Sequence, residues 1–403
     1  MNAVNALALD EVPFLNVSDP QFSIRSAETL AARDKSWYAR TPYGFAVLRY
    51  EEMSKLIPSR KLRQGSYAWP AHNQATGSFA DWWSRMLLSH EGSEHARLRK
   101  LAAPAFDQKL IAGLIPTFQA LANELIDDFQ SDGRCEFMTA FAEPYASRVI
   151  LTLLELPQDL WREFTEIAVD MGLALGVTYK QDMERVNSAT DRLFDYAREV
   201  IAQRRSRPLG DDFLSNMIRA NDSDDGSLSD QELYDMVVLA IFGGIDTTRN
   251  QLGLAVDTFI ANPDQWDLLG SQPELAAAAV EEVMRVRPTT TWVTREAVET
   301  FEFQGVTIPQ GSTVHLFSQC AGTDPKIFPD QKFDITARRR RHFGFGGGIH
   351  HCIGHFIARG DMTEALALMA RRMPNLRFDG TPEFLPDSGN TGPISLPIAF
   401  DQP

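Results

Sequence analysis

The sequence predicts a mainly α-helical protein with a small β region, built as one large domain around a long central helix. Three observations predict it. Through residues 108–205 apolar residues recur at three- and four-residue spacing, the period of amphipathic helices. A capping-box sequence, Ser229-Asp230-Gln231-Glu232, opens a helical pattern that runs on to Asn262. Strand-like runs are short and confined to residues 298–317.

Taken in order, residues 1–21 carry Asp10, Glu11, Asp19 and two prolines. They hold neither a signal-type apolar stretch nor an anchor of about 20 apolar residues, so an extended start with no membrane attachment is expected. Helices are expected over 111–129 and 188–204. The pattern opened by Ser229 stops where Pro263 forbids simple continuation. About 32 residues at roughly 1.5 Å each make a rod of roughly 48 Å, long enough to cross the molecule. Its middle, residues 236–245, is apolar on all sides, as a helix buried in a large core should be. A shorter helix over 273–286 ends before Pro288. Strands are expected over 298–304, 306–308 and 313–317, separated by Gly305 and Pro309-Gln310-Gly311. A last long helix, 354–372, starts just after Cys352.

Length alone would allow two or three units in 403 residues, but no Ser/Gly-rich, Pro-rich or charged linker divides the chain. Residues 1–403 therefore read as a single domain. The net charge of −15 argues against nucleic-acid and anionic-membrane partners. Three cysteines, Cys135, Cys320 and Cys352, lack zinc-site spacing, and their odd number argues against a disulfide framework. A reducing cytosol, and so a cytoplasmic protein, fits.

The chemistry concentrates in Phe345-Gly346-Gly347-Gly348-Ile349-His350-His351-Cys352-Ile353-Gly354. Three successive glycines let the backbone turn tightly and come close to a flat ligand. A cysteine in such a loop, just ahead of a helix, lies near that helix's positive end, which favours thiolate over thiol. A thiolate suits a haem iron that must cleave an O–O bond, because sulfur pushes electron density toward oxygen. The bland alternative is an inert cysteine beside a glycine-rich loop; the joint placement of Phe345, Gly348 and Gly354 around Cys352 outweighs it.

Those four residues match the Phe-x-x-Gly-x-x-x-Cys-x-Gly signature, and the chain resembles the cytochrome P450 family from His95 to the C-terminal strands. The resemblance implies a P450-like fold, haem b (iron protoporphyrin IX) held by the Cys352 thiolate, and Phe345, Gly346 and Gly354 against the porphyrin. It is similar to the soluble bacterial members, which take electrons from separate redox proteins.

Further residues take their expected roles from the resemblance. Glu282 and Arg285 resemble the family's Glu-x-x-Arg pair, a buried lock behind the haem. The usual third member, an Arg three residues after the Asp of Phe333-Asp334, is replaced by Ala337; Arg338, one residue on, is the candidate substitute. In the central helix Gly243-Gly244-Ile245-Asp246-Thr247-Thr248 interrupts an apolar stretch. Each mid-helix glycine costs about 1 kcal/mol relative to alanine and so needs a reason. In the family a small pair opens the backbone beside dioxygen, and Asp246 and Thr247 match its acid–alcohol pair for proton delivery. His95 and Arg99, four apart on one helical face, Arg295, and His350 look like partners of the haem propionates. His342, His351 and His355 read as structural or solvated.

Arg338-Arg339-Arg340-Arg341 is a basic run in an acidic chain. It reads either as a solvated face or as a docking patch for an acidic ferredoxin or flavodoxin, with Arg97, Lys100 and Arg359. No flavin or nicotinamide fingerprint accompanies it, so electrons must come through another protein, from an NAD(P)H reductase. Trp69, Phe79 and Trp82 in the segment before His95, with Val293 and Ile394, are the candidate substrate pocket. So aromatic a lid suggests a small hydrophobic and even aromatic substrate, although each ring taken alone is as well explained by core packing. The expected function is insertion of one oxygen atom of O2 into such a molecule. The alternatives are peroxide-driven oxidation or oxidative coupling by the same haem, or a haem sensor without turnover.

Overall fold

A computed structural model describes residues 11–210, 212–223 and 227–402. The expected central helix is Asp230–Ile260. Its capping box closes both ways: the Glu232 amide donates to Ser229 Oγ at 3.3 Å and the Ser229 amide to Glu232 Oε2 at 2.8 Å. The next helix, Pro263–Ser271, takes its proline in the first turn, where the missing N–H costs nothing. Of the central helix's middle, expected to be apolar on all sides, Met236, Val237, Val238, Ile241, Phe242 and Ile245 are buried, whereas Leu239, Ala240, Gly243 and Gly244 are partly open.

The helices expected over 111–129 and 188–204 are Gln108–Gln130 and Met183–Arg205. Helix Ala276–Val286 is preceded by a 3₁₀ turn over Pro273–Leu275, and the helix after Cys352 is His355–Arg372. That last helix packs on Gln108–Gln130, while Glu143–Leu153 and Trp161–Gly172 lie against the central helix.

The five-stranded sheet runs Tyr38–Thr41, Gly44–Val47, Thr313–Phe317, Trp292–Ala297, Leu62–Gln64. Gly44–Val47 pairs in parallel with Thr313–Phe317; the other pairings are antiparallel. Here the sequence reading needs correction. The run expected over 298–304 shrinks to Phe301–Phe303, because Val298 is 40% exposed beyond the end of the preceding strand. The strand that matters, Trp292–Ala297, follows Pro288 and was not expected; it places Arg295 inside the sheet, opposite Gln64 and Val314.

Of the expected extended start, residues 1–10 lie outside the described residues; Phe14 then bridges to Arg40 beside the sheet. Among the described residues no helix is long and apolar enough to cross a membrane.

Candidate active site

The Cys loop is held by its own backbone. Gly346 and Gly348 adopt φ of +65° and +68°, the left-handed conformation that glycine takes without strain. The Gly346 amide donates to Phe343 O at 2.8 Å, and the Cys352 amide donates to Phe345 O at 3.0 Å, closing the loop. Gly347 is extended and has a different reason to be small: a Cβ there would meet Ile57 Cδ1 at 2.8 Å. A Cβ on Gly354 would meet only Cys352 Sγ, at 3.9 Å, so the space beside the sulfur is not filled by protein. Phe345 is buried, with the Arg359 guanidinium over its ring at 4.4 Å.

Of the three cysteines, Cys320 is buried in the core and Cys135 is half-buried, and burial pushes both thiols up to about 12. Cys352 is exposed, although protein groups crowd one side of its sulfur. Burial raises its pKa, while the Gly354 amide, Arg99 and Arg359 oppose that shift. A bound metal ion would deprotonate the thiol outright.

Beside this loop stand two guanidiniums and two histidine rings, for which Glu91 is the nearby carboxylate among the described residues. Arg295 is 3% exposed and forms no ion pair among the described residues; it donates to Gln64 Oε1 and Thr294 O, and burial lowers its pKa to about 10. Arg99 likewise has only a carbonyl, His351 O at 2.6 Å, and burial lowers its pKa. The His95 and His350 rings lie 4.5 Å apart. His350 Nε2 meets Glu91 Oε1 at 2.9 Å, but His350 Nδ1 and His95 Nε2 are buried with no partner. Burial, with His350 and Arg99 adding to it, drops the His95 pKa to about 4. Two desolvated guanidiniums and two unpaired ring nitrogens in one place call for a buried anionic ligand, since unpaired buried charge is costly. The two carboxylates of a haem b fit this cluster, and the open Cys352 sulfur fits its iron.

In the central helix, Leu239, Ala240, Gly243, Gly244 and Thr247 are partly open, although Ile241, Phe242, Ile245 and Asp246 among them are buried. At spacings of three and four residues they form one open stripe. Leu239, Ala240 and Ile353 of the Cys loop all border the same apolar cluster. The two glycines have different reasons. Gly243 is open, with only Leu239 Cδ1 at 3.8 Å from a Cβ, whereas a Cβ on Gly244 would strike Ile150 Cδ1 at 2.3 Å. Gly244 is partly open as well, so packing against Ile150 adds a second reason for its smallness to the expected opening beside a ligand. Thr247 Oγ1 donates to Gly243 O at 2.7 Å. Asp246, one residue back, points elsewhere: it is 2% exposed and accepts from Arg249 at 3.3 Å, Asn250 at 3.3 Å and Asn390 at 2.6 Å. Burial raises its pKa, and those same three donors oppose the shift.

Behind the loop, Arg285 donates to both oxygens of Glu282 at 2.7 and 2.6 Å, with both residues almost fully buried. Arg285 also donates to Gly322 O at 2.7 Å. The third member is Arg339, which reaches Glu282 Oε1 at 3.3 Å and Asp330 at 2.7 Å; Arg338 is exposed and is not part of the lock. The chain skips two places rather than one because residues 337–341 run without regular structure, which frees the register.

The aromatic segment divides. Phe79 and Trp82 are fully buried, Trp82 donating to Asp235 O at 3.4 Å and packing on Phe242, so they belong to the core and not to an open pocket. Trp69 and Val293 are partly open. Ile394 is 52% exposed, while Asn390 and Pro393 of the same hairpin reach the central helix. Sequence reasoning missed Gln64, Glu91 and Asn390, which only tertiary pairing brings in. It also missed Arg249, for which a signal existed: a base at i+3 from Asp246 inside a buried helix.

Comparison with known proteins agrees with this geometry. The cytochrome P450 family model matches residues 137–373. The chain is 36% identical over 395 residues to luteothin monooxygenase of Streptomyces thioluteus, covering 97% of this chain and 96% of that one. It is 31% identical over 372 residues to mycinamicin IV hydroxylase/epoxidase of Micromonospora griseorubida, covering 90% and 91%. The crystal structure of CalO2 superposes with a TM-score of 0.85 at 28% identity, covering 95% of this chain and all of that one. Fold and likeness together define a haem-thiolate monooxygenase. The chain belongs to the cytochrome P450 family.

Proposed function

We propose that Cys352 is the haem ligand of this P450, and that the enzyme inserts one atom of O2 into a small hydrophobic molecule. Its electrons come from a separate ferredoxin or flavodoxin with its NAD(P)H reductase, in the cytoplasm. One observation carries the assignment: Cys352 alone of the three cysteines is exposed, in the glycine loop whose His351 carbonyl accepts from Arg99. Arg99 and Arg295 would take the haem carboxylates by charge, and the free nitrogens of His95 and His350 by hydrogen bonds. Phe345, Gly346 and Gly354 shape the wall around the sulfur. Bound there, the haem supplies the activation of dioxygen, with the thiolate as electron donor to iron.

The chain's own share is positioning and proton handling. Thr247 presents its hydroxyl from the open stripe and Asp246 holds an acid one residue away; O–O scission takes two protons, which such a pair can supply. Trp69, Val293, Leu239 and Ala240 offer the substrate an apolar surface. Two relatives are by name a luteothin monooxygenase and a mycinamicin IV hydroxylase/epoxidase, in keeping with an organic substrate of low polarity. For the redox partner, Arg338, Arg340 and Arg341 are exposed near the Cys loop, where Ile349 is 53% exposed, and Arg340 is paired with the exposed Glu51 at 3.2 Å. Arg97 and Arg359 contribute less than the sequence suggested, since Glu94, Glu232 and Glu281 already pair with them.

A mass-spectrometric screen of apolar metabolites with a surrogate ferredoxin, its reductase and NADH tests this reading. The expected result is product heavier by one oxygen, labelled from ¹⁸O2. Greater turnover with peroxide than with the electron-transfer chain would contradict it.

A further inference from the structure

Asp246 does not stand alone. Arg249 donates Nη2 to Asp246 Oδ1 at 3.3 Å and Nη1 to Glu143 Oε1 at 3.4 Å. The two inner side chains are 3% and 6% exposed, whereas that of Glu143, at the start of helix Glu143–Leu153, is 20% exposed. One buried guanidinium thus lies between two carboxylates, and only the outer one reaches solvent.

Among the described residues, the surroundings give Asp246 no other ionic partner. Its own helix contributes Arg249 and Asn250, and the C-terminal hairpin contributes Asn390. Helix Trp161–Gly172 contributes Gly172, where a Cβ would meet Asp246 Oδ1 at 3.1 Å, so that helix closes directly over the carboxyl. Behind Glu143 stands a further carboxylate, Glu136, and burial raises the pKa of Glu143 as it does that of Asp246. Two acids sharing one cation in a dry place disfavour double ionisation, so the trio tends to hold one proton.

We propose that Glu143, Arg249 and Asp246 form a single proton-holding unit, with Glu143 and Arg249 as positioning residues for the proton step at Asp246. This rests on the reading of Asp246 as the acid. A proton from solvent is taken up by the Asp246 carboxylate. Arg249 stays cationic and keeps its bond to Glu143, which stays anionic, so no charge is left unpaired. The neutral Asp246 carboxyl is then free to turn from Arg249 and give its proton toward Thr247. Without the Glu143 charge, protonating Asp246 would strand Arg249, and Asp246 would remain ionised to lower pH.

The test uses the haem-loaded enzyme with saturating substrate. Turnover needs Asp246 protonated, so it is lost as pH rises through that group's pKa. In Glu143→Gln this alkaline limb should move down by about one pH unit, with peroxide release rising several-fold. Arg249→Gln should move the limb the other way, opposite signs that a mere folding defect does not produce, and Glu143→Asp should restore the wild-type position. Independently of turnover, the infrared C=O band of a protonated buried carboxyl, absent in Asp246→Asn, should titrate at lower pH in Glu143→Gln. If Asp246→Asn changes limb and band while Glu143→Gln changes neither, the unit does not exist. If Asp246→Asn itself changes neither, the reading of Asp246 fails and the proposal falls with it.

Discussion

Arg339 Nη2 lies 3.3 Å from Oε1 of Glu282, the same oxygen that Arg285 holds at 2.6 Å, while Arg339 Nη1 grips Asp330 at 2.7 Å. Two guanidiniums therefore converge on one buried carboxylate just before the Cys loop. The lock is complete in this chain despite Ala337, because the arginine two places further on supplies it.

Arg339→Gln should destabilise the protein by about 1–3 kcal/mol, the usual cost of losing charged hydrogen bonds to a buried acceptor. Arg338→Gln should be neutral within about 0.5 kcal/mol, as surface substitutions generally are. Thermal unfolding of the two variants side by side checks this; equal effects would contradict the assignment.

The docking patch must consequently be tested without Arg339. Replacing Arg338, Arg340 and Arg341 by Glu should slow ferredoxin-driven reduction several-fold at low salt and flatten its salt dependence, since screening sets in at about 8 Å near 0.15 M. Substrate binding and peroxide-driven turnover should hardly change. Unaltered reduction across the salt series would leave these arginines as a solvated face.

Thr247→Ala should keep NADH consumption while product falls and hydrogen peroxide rises, because its hydroxyl is the polar group on the open stripe of the central helix. Asp246→Asn should mainly slow turnover. Product and peroxide measured against NADH, with more than one substrate, decide between coupling and rate.

Stability should depend on pH through His315, which burial holds down to about 4 and whose Nδ1 meets Thr294 Oγ1 at 3.1 Å. The unfolded chain binds a proton at about 6.5 that the folded chain refuses until about 4, so folding weakens as pH falls between those values. The contribution reaches roughly 2–3 kcal/mol at pH 4. His315→Gln should flatten the fall of Tm over that range, measured by calorimetry.

Much of this was legible in the sequence where a local rule decides. Ser229 and Glu232 announced the central helix, and the glycines around Cys352 announced a loop that needs φ near +65°. Legibility failed where a partner lies far along the chain. Arg295 could be singled out, yet its strand and its neighbour Gln64 come from a pairing across 231 residues. The packing of Gly244 on Ile150 was not visible because the two lie 94 positions apart. Phe79 and Trp82 looked like pocket residues because an aromatic side chain reads the same in a lid and in a core. Arg338 was preferred to Arg339 because irregular backbone carries no period from which to count.

The central claim is that Cys352 binds haem iron as thiolate, and the reduced carbon monoxide difference spectrum of cysteine variants tests it most directly. The wild type, Cys135→Ala and Cys320→Ala should all show the red-shifted Soret band of a thiolate-ligated haem. Cys352→Ser and Cys352→His should lose it. Retention of that band in Cys352→Ser, or its loss in Cys320→Ala with the fold intact, would contradict the account.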